Sequence, residues 1–264
     1  MEEHHASWLN AVVALEPAWL RPYLDVFALH VLIVVAFLCL VAWQASRRLE
    51  VKPTRKLQLV GEWIYGAMEG LAKSIIPHHG ERYTPIVGTF FCYILCLNLF
   101  GLIPGFLSPT SRLNTTLALG VCSVAIAQVV GWQVNGPRYM MRWIPSMAGI
   151  PFYLVPFIFP LLFLLHIIEE LVKPLSLAIR LFGNVFGDDT AVAQFALLGA
   201  GAVGLLLNPT GASALVQVQG VLGAAVGMAL TAMMVSFAIF LGLLQALVFS
   251  ILTGAYVLFA LEME

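Results

Sequence analysis

Charge is the scarcest commodity in this chain. Asp, Glu, Lys and Arg make up only 10% of its 264 residues, against 61% hydrophobic, and mean hydropathy is +0.93. Soluble domains carry about 25% charged residues, so an ordinary water-soluble globule is excluded. Thirteen Lys and Arg stand against fourteen Asp and Glu, a net charge of −1, and that balance implies no nucleic-acid partner. Short segments of alternating polarity are lacking, which excludes a membrane barrel. Cysteine is sparse: Cys39, Cys92, Cys96 and Cys122 lie in apolar segments, at no spacing that His residues complete into a metal site. They read as buried small hydrophobes. No phosphate-cradling loop and no nucleophile elbow occurs, so neither a cofactor nor covalent catalysis is expected. The acidic, polar N-terminus is not that of a cleavable signal peptide. What remains is an all-α membrane protein.

Residues 1–22 form a polar and amphipathic lead, with His4 and His5 as a surface pair. A first span covers 23–43, with His30 inside it as a packing group. Arg47, Arg48, Lys52, Arg55 and Lys56 follow, and the positive-inside rule puts this loop in the cytoplasm and the N-terminus outside. Residues 57–76 are too polar to span and favour one apolar face, as an interfacial amphipathic helix does. His78, His79, Glu81 and Arg82 read as a loop. A second span covers 84–107, with Asn98 its polar group, and Pro104, Gly105 and Pro109 mark an outer turn. A third covers 115–134. Nine of the thirteen Lys and Arg residues then fall inside, Arg21 and Arg112 outside, and Lys173 and Arg180 within the membrane. Pro145 and Pro151 break the chain before 152–207, which is too long for one perpendicular span of about 20 residues and must be tilted, bent or divided. Asn208 to Gly211 turn it into 213–261, again too long. The C-terminus near Glu264 is expected inside. With no internal repeat, the chain reads as a single multi-span membrane domain. It has about five membrane-embedded helices plus one interfacial helix.

The polar groups this chain does carry are concentrated where apolarity is greatest. Between His166 and Gln194 lie Glu169, Glu170, Lys173, Arg180, Asn184, Asp188 and Asp189. Each charge at bilayer depth costs roughly 2.5–3.5 kcal/mol on insertion scales. At about 100° per residue from Glu169, His166 falls near 60°, Lys173 near 40°, Arg180 near 20°, Asn184 near 60° and Gln194 near 340°, with Glu170 and Asp188 near 100°. These make one polar stripe. Asp189, near 200°, is almost opposite Arg180. Two structural readings stay open here: Arg180 and Asp188 as a helix-locking ion pair, and Glu169 with Lys173 as an ordinary i, i+4 pair.

The string KPLSLAIRLFGNVFGDD, together with NLFGLIPG and FLGLLQALVFSILTGAYVLFALE, resembles subunit a of F-type ATP synthases, the stator subunit of the membrane rotor. The likeness covers most of residues 80–262. It implies a long, strongly tilted helix against the rotor and makes 149–264 an ion-translocating helical hairpin. It also implies two offset aqueous half-channels against a rotor c-ring, with Arg180 separating them and favouring deprotonation of the rotor carboxylate. Asp189 takes the position of the family's acid after the arginine, usually glutamate. Asp188 beside it resembles the chloroplast-type pair of acids. Asn184 and Gln245 would orient water and the arginine, and Asn98 reads either as a group bordering the outward path or as a helix-packing amide. Glu169 and His166 are weaker candidates. Ala238 stands where some relatives carry a histidine, so a relay there must use other groups. The implied role is that of a non-catalytic subunit of a proton-translocating, ATP-synthesising complex in a bacterial inner membrane. Its partners would be the c-ring, the peripheral-stalk b subunits and the lipid bilayer. The alternative is a self-contained secondary transporter or channel, whose usual inverted repeats do not occur in this sequence.

Overall fold

The computed structural model describes residues 26–47, 56–77, 79–103, 106, 108–143, 155–207 and 214–262. These form six helices: α1 (Val26–Ser46), α2 (Lys56–Ile75), α3 (Gly80–Gly101), α4 (Leu113–Asn135), α5 (Val155–Leu207) and α6 (Ala214–Leu261). Two 3-10 segments, Pro109–Ser111 and Gly136–Trp143, follow α3 and α4. No strand occurs among the described residues. Lipid offers a backbone no hydrogen-bond partners, and helices satisfy their own. Four helical stretches are long and apolar enough to cross a membrane: Phe27–Ser46, Gly80–Gly101, Leu113–Tyr139 and Val218–Leu261. The chain is an all-α integral membrane protein. α5 is not among those four; six charged side chains lie between Glu169 and Asp189 in its middle.

The sequence boundaries hold for α2 and α4 and shift elsewhere. Glu81 and Arg82 are not in a loop; they open α3. An acid suits a helix N-terminal turn, and Glu81 is also tied back to α2, where Lys73 Nζ lies 2.8 Å from Glu81 and 2.7 Å from Glu69. These hydrogen-bonded carboxylates hold the Lys73 ammonium above its ordinary value. His79, at φ 68°, makes the tight connection, and a side chain at Gly80 would lie 2.9 Å from the Ala72 carbonyl oxygen. α3 ends at Gly101, short of the expected Leu107. A Cβ on Gly101 would meet Ser108 Cβ at 2.6 Å, so the chain can fold back only over glycine. α5 is one helix of 53 residues that takes in Pro160 and Pro174; of the three possibilities, tilted, bent or divided, division does not occur, and a single long helix is what the family resemblance implied. The cysteines also need correction. Cys39 and Cys122 are exposed and Cys92 and Cys96 half-buried, none of them in a disulfide, because a helix facing lipid has no need to bury a small apolar side chain inside protein. The N-terminal lead with His4 and His5, the basic loop 48–55, His78, Pro104, Gly105, Pro145, Pro151, the turn at 208–211 and Glu264 lie outside the described residues.

The chain forms two compact units. One comprises 1–36, 94–112 and 182–245. In it His30, 1% exposed, meets Phe106 edge to face at 5.1 Å between ring centroids. That places His30 in packing, as expected. Gly199 and Gly227 bring α5 and α6 to backbone contact, since a Cβ on Gly227 would lie 2.5 Å from Gly199 Cα.

The other unit comprises 37–93, 113–181 and 246–264. Its core gathers Ile76, Tyr83, Ala127, Val130 and Val257, and Phe90 stacks on Phe249 at 5.5 Å. Ser123 and Thr253 hydroxyls pair at 2.8 Å between α4 and α6, and Asn135 Nδ2 donates to the Ala260 carbonyl at 3.0 Å. Gly120 lets α4 close on α5, where a Cβ would sit 2.5 Å from the Pro174 carbonyl oxygen. Small residues and hydrogen-bonded hydroxyls at contacts are how helices associate without a hydrophobic driving force.

Candidate functional site

Two polar clusters are enclosed by these apolar helices, one in each unit. The first belongs to the unit containing 182–245. Asn184 of α5 donates from Nδ2 to Gln245 Oε1 of α6 at 2.9 Å. Asn98 of α3 donates from Nδ2 to the Gly242 carbonyl at 3.3 Å and accepts at Oδ1 from Thr110 at 3.2 Å. Ser108 and Thr110 hydroxyls complete the network at 2.9 Å. Asn98, Asn184, Asp188, Asp189 and Gln245 line a cavity of ≈ 20 Å³, with Ala238 and Gly242 among its apolar walls. A polar cavity of that size admits a water molecule. Gln245 is 5% exposed, and its Nε2 has no hydrogen-bond partner among the described residues. A buried amide donor of this kind costs about 1–3 kcal/mol unless an acceptor reaches it.

The second cluster belongs to the unit containing 113–181. Lys173 Nζ donates to Glu170 Oε2 at 2.8 Å and lies 3.4 Å from Glu169 Oε1. The Glu170 and Lys173 side chains are 13% and 17% exposed, whereas that of Glu169 is 67% exposed. Gln128 of α4 donates from Nε2 to Glu170 Oε1 and accepts at Oε1 from the Tyr139 hydroxyl at 2.6 Å. Tyr256 of α6 closes the same cavity, ≈ 10 Å³, with Gln128, Tyr139, Glu170 and Lys173.

Arg180 is exposed on α5 and makes no ion pair among the described residues. Ile179 beside it in sequence is an exposed apolar side chain, while Ser176, Gly183, Asn184 and Gly187, also exposed, share its side of the helix at about 100° per residue. This is a permanent charge on an exposed helix face of small and polar residues.

The sequence stripe anticipated Asn184 and Asp188, and the family resemblance singled out Asp189 and Gln245; the first cluster brings all four together. His166 and Glu169 join neither cavity lining. The expected Glu169–Lys173 contact exists, but the tighter and more buried partner of Lys173 is Glu170. Gln128, Tyr139 and Tyr256 were missed. The available signal was Gln128, the strong amide in the middle of an otherwise apolar span.

Membrane-crossing helices that enclose polar clusters around half-buried carboxylates define a polytopic protein whose intramembrane ionisable groups are candidates for function. Residues 27–258 match the family model described as ATP synthase A chain. The chain is 31% identical over 234 residues to ATP synthase subunit a of Protochlamydia amoebophila, covering 88% of this chain and 79% of that one. It is 41% identical over 154 residues to ATP synthase subunit a of Moorella thermoacetica, covering 58% and 65%. For ATP synthase subunit a of Geobacter sulfurreducens the identity is 33% over 171 residues, covering 65% and 70%. The chain belongs to the ATP synthase A chain family.

Proposed function

We propose that this chain is the proton-translocating stator subunit of an F-type ATP synthase, working against a rotor ring in a bacterial inner membrane. It would join the peripheral-stalk b subunits and hold its N-terminus outside and its C-terminus in the cytoplasm. The observation that carries this reading is the order along α5. Glu170 and its partners come first, exposed Arg180 follows, and then come Asn184, Asp188 and Asp189. Two separate polar clusters, each too small for more than a water, suit two half-channels better than one continuous pore. The outward path uses Asp189 and Asp188 as proton-relay groups, while Asn98, Asn184 and Gln245 order water beside them. The inward path lies on the Glu170 side.

Arg180 acts electrostatically. A guanidinium stays charged at any working pH, so facing a rotor carboxylate it favours the ionised form. It thereby drives the proton off the ring and bars direct flow between the paths. A membrane potential supplies about 2.3 kcal/mol per charge per 100 mV to such a step. The chain does no covalent chemistry of its own in this scheme.

The test is Arg180→Ala in vesicles containing comparable amounts of assembled complex, with ATP synthesis and passive proton leak measured together. Synthesis should vanish while assembly persists, since Arg180 is exposed and makes no ion pair among the described residues that would hold helices together. Arg180→Lys should also fail, because lysine sheds its proton on desolvation and lacks the planar fork. Near-normal synthesis by Arg180→Ala would refute the mechanism, and a variant that never assembles would assign Arg180 to helix locking.

A further inference from the structure

The Glu170 cluster contains two residues that an ion pair does not need. Lys173 alone neutralises Glu170. Yet Gln128 reaches it from α4, and Tyr139, on the 3-10 segment after α4, is 3% exposed and donates a hydrogen bond to Gln128. Room for that phenol is built in: Tyr139's ring packs on Gly131, where any Cβ would collide with it.

An amide next to a phenol has a specific chemical property. A carboxamide presents an acceptor on one atom and a donor on the other, and a phenol hydroxyl can do either. With Glu170 ionised, Tyr139 donates to Gln128 Oε1 and Gln128 Nε2 donates to the carboxylate, the arrangement observed. With Glu170 protonated on Oε1, the amide turns over. Its oxygen then accepts the Glu170 O–H, its nitrogen donates to the Tyr139 oxygen, and the phenol hydrogen turns away. No proton resides on Gln128 or Tyr139 in either state, and the carboxyl group stays hydrogen-bonded in both. A lone donor such as lysine can bond an acceptor oxygen of either form but cannot accept the O–H of the protonated one.

Resting on the proton-translocating reading above, we propose that Gln128 and Tyr139 are positioning residues. They form a reversible hydrogen-bond switch that lets Glu170 take up and release the translocated proton on the inward path. The titratable groups facing Glu170 are Lys173 on its own helix, Tyr139, and Tyr256 from α6, with Glu169 behind Lys173. Of these, only Tyr139 reaches the carboxylate through a reversible partner.

The experiment measures ATP-driven acidification of inverted vesicles against pH, at matched levels of assembled complex, for Tyr139→Phe, Gln128→Met and Glu170→Gln. Tyr139→Phe should slow pumping roughly tenfold, the scale set by losing hydrogen bonds around a charged group, and should move the pH optimum. In the Glu170→Gln background, Tyr139→Phe should have no additional effect, because the switch then has no proton to follow. Gln128→Met, similar in volume, should reproduce Tyr139→Phe. Three results would overturn the proposal: an unchanged pH profile in Tyr139→Phe, an equal loss with and without Glu170, or failure of both Tyr139→Phe and Gln128→Met to assemble. Arg180→Ala in the same assay separates the two levels. Pumping that survives Arg180→Ala removes the translocation reading itself. Pumping lost with Arg180→Ala but untouched by Tyr139→Phe removes only the switch.

Discussion

Glu170 has a donor on each carboxylate oxygen, Lys173 on one and Gln128 on the other. Gln245, equally enclosed in the other unit, has its oxygen bonded to Asn184 and its amide nitrogen bonded to nothing described. One cluster is a closed network with its charges neutralised; the other is open toward a cavity that two aspartates share. A closed network contributes stability and loses it when any member goes. An open one contributes little stability and keeps spare hydrogen-bonding capacity for something that passes through. Removing one residue from each side therefore separates a cluster on which both fold and transport depend from one on which transport alone depends.

The largest effect should come from the closed side. Lys173→Met leaves Glu170 buried with no cation against it. Breaking a buried pair from one side destabilises by about 3–5 kcal/mol, and with both side chains mostly buried the lower end of that range is expected. Assembled complex should fall sharply, as gel analysis of detergent-solubilised membranes would show. Glu170→Gln should be milder, because Lys173 keeps Glu169 within reach at 3.4 Å. A Lys173→Met variant that assembles normally would mean that the pair is not structural, and the contrast between the clusters would lose its closed half.

Much of this was legible in the sequence, for a physical reason. Charge is so costly in lipid that every charged position in an apolar run carries information, and helical periodicity turned those positions into the stripe that holds Asn184, Asp188 and Gln194. Helix boundaries were read less well. Glu81 looked like loop because it is charged, and its pairing with Lys73 across the His79 turn depends on a left-handed backbone that composition does not reveal. The length of α5 left tilt, bend and division open, because periodicity does not say whether a long apolar run is one helix; a proline removes only one backbone donor, and the helix runs through Pro160 and Pro174. Tyr139 was invisible: a tyrosine in a basic, Pro-containing segment gives no sign that its hydroxyl reaches back to Gln128. Likewise Glu170 was overlooked as partner of Lys173 because an i, i+3 and an i, i+4 carboxylate are equivalent on paper, and only burial separates them.

The next effect is functional. Asp188 and Asp189 line the same cavity but leave α5 about 100° apart. Asp189→Asn should reduce proton-driven ATP synthesis by at least about tenfold, the low side of what a proton-transfer group contributes. Asp188→Asn should reduce it less, and neither should alter the amount of assembled complex, since the substituted amide keeps the volume. ATP synthesis in energised vesicles measures this directly. Equal losses, or a larger one at Asp188, would show that the relay uses the other acid.

The smallest change in stability is expected at Gln245. Gln245→Leu is nearly isosteric and deletes the one buried donor that has no described partner, which is favourable. It also takes the acceptor from Asn184 Nδ2, but Asn184 is exposed, so that loss is mild. The two terms oppose each other, and the net change should lie within about 1 kcal/mol. Transport should nonetheless suffer, because the cavity would keep its volume and lose the donor that orders water between Asn98 and the aspartates. Gln245→Glu should recover part of the activity by restoring a polar group that reaches the same space. Thermal stability of the purified complex and proton-driven synthesis must therefore move apart in Gln245→Leu, whereas they fall together in Lys173→Met. If Gln245→Leu lowers assembly as far as Lys173→Met does, the amide is a structural member of its unit. In that case the open cavity is a packing defect with no part in the proton path.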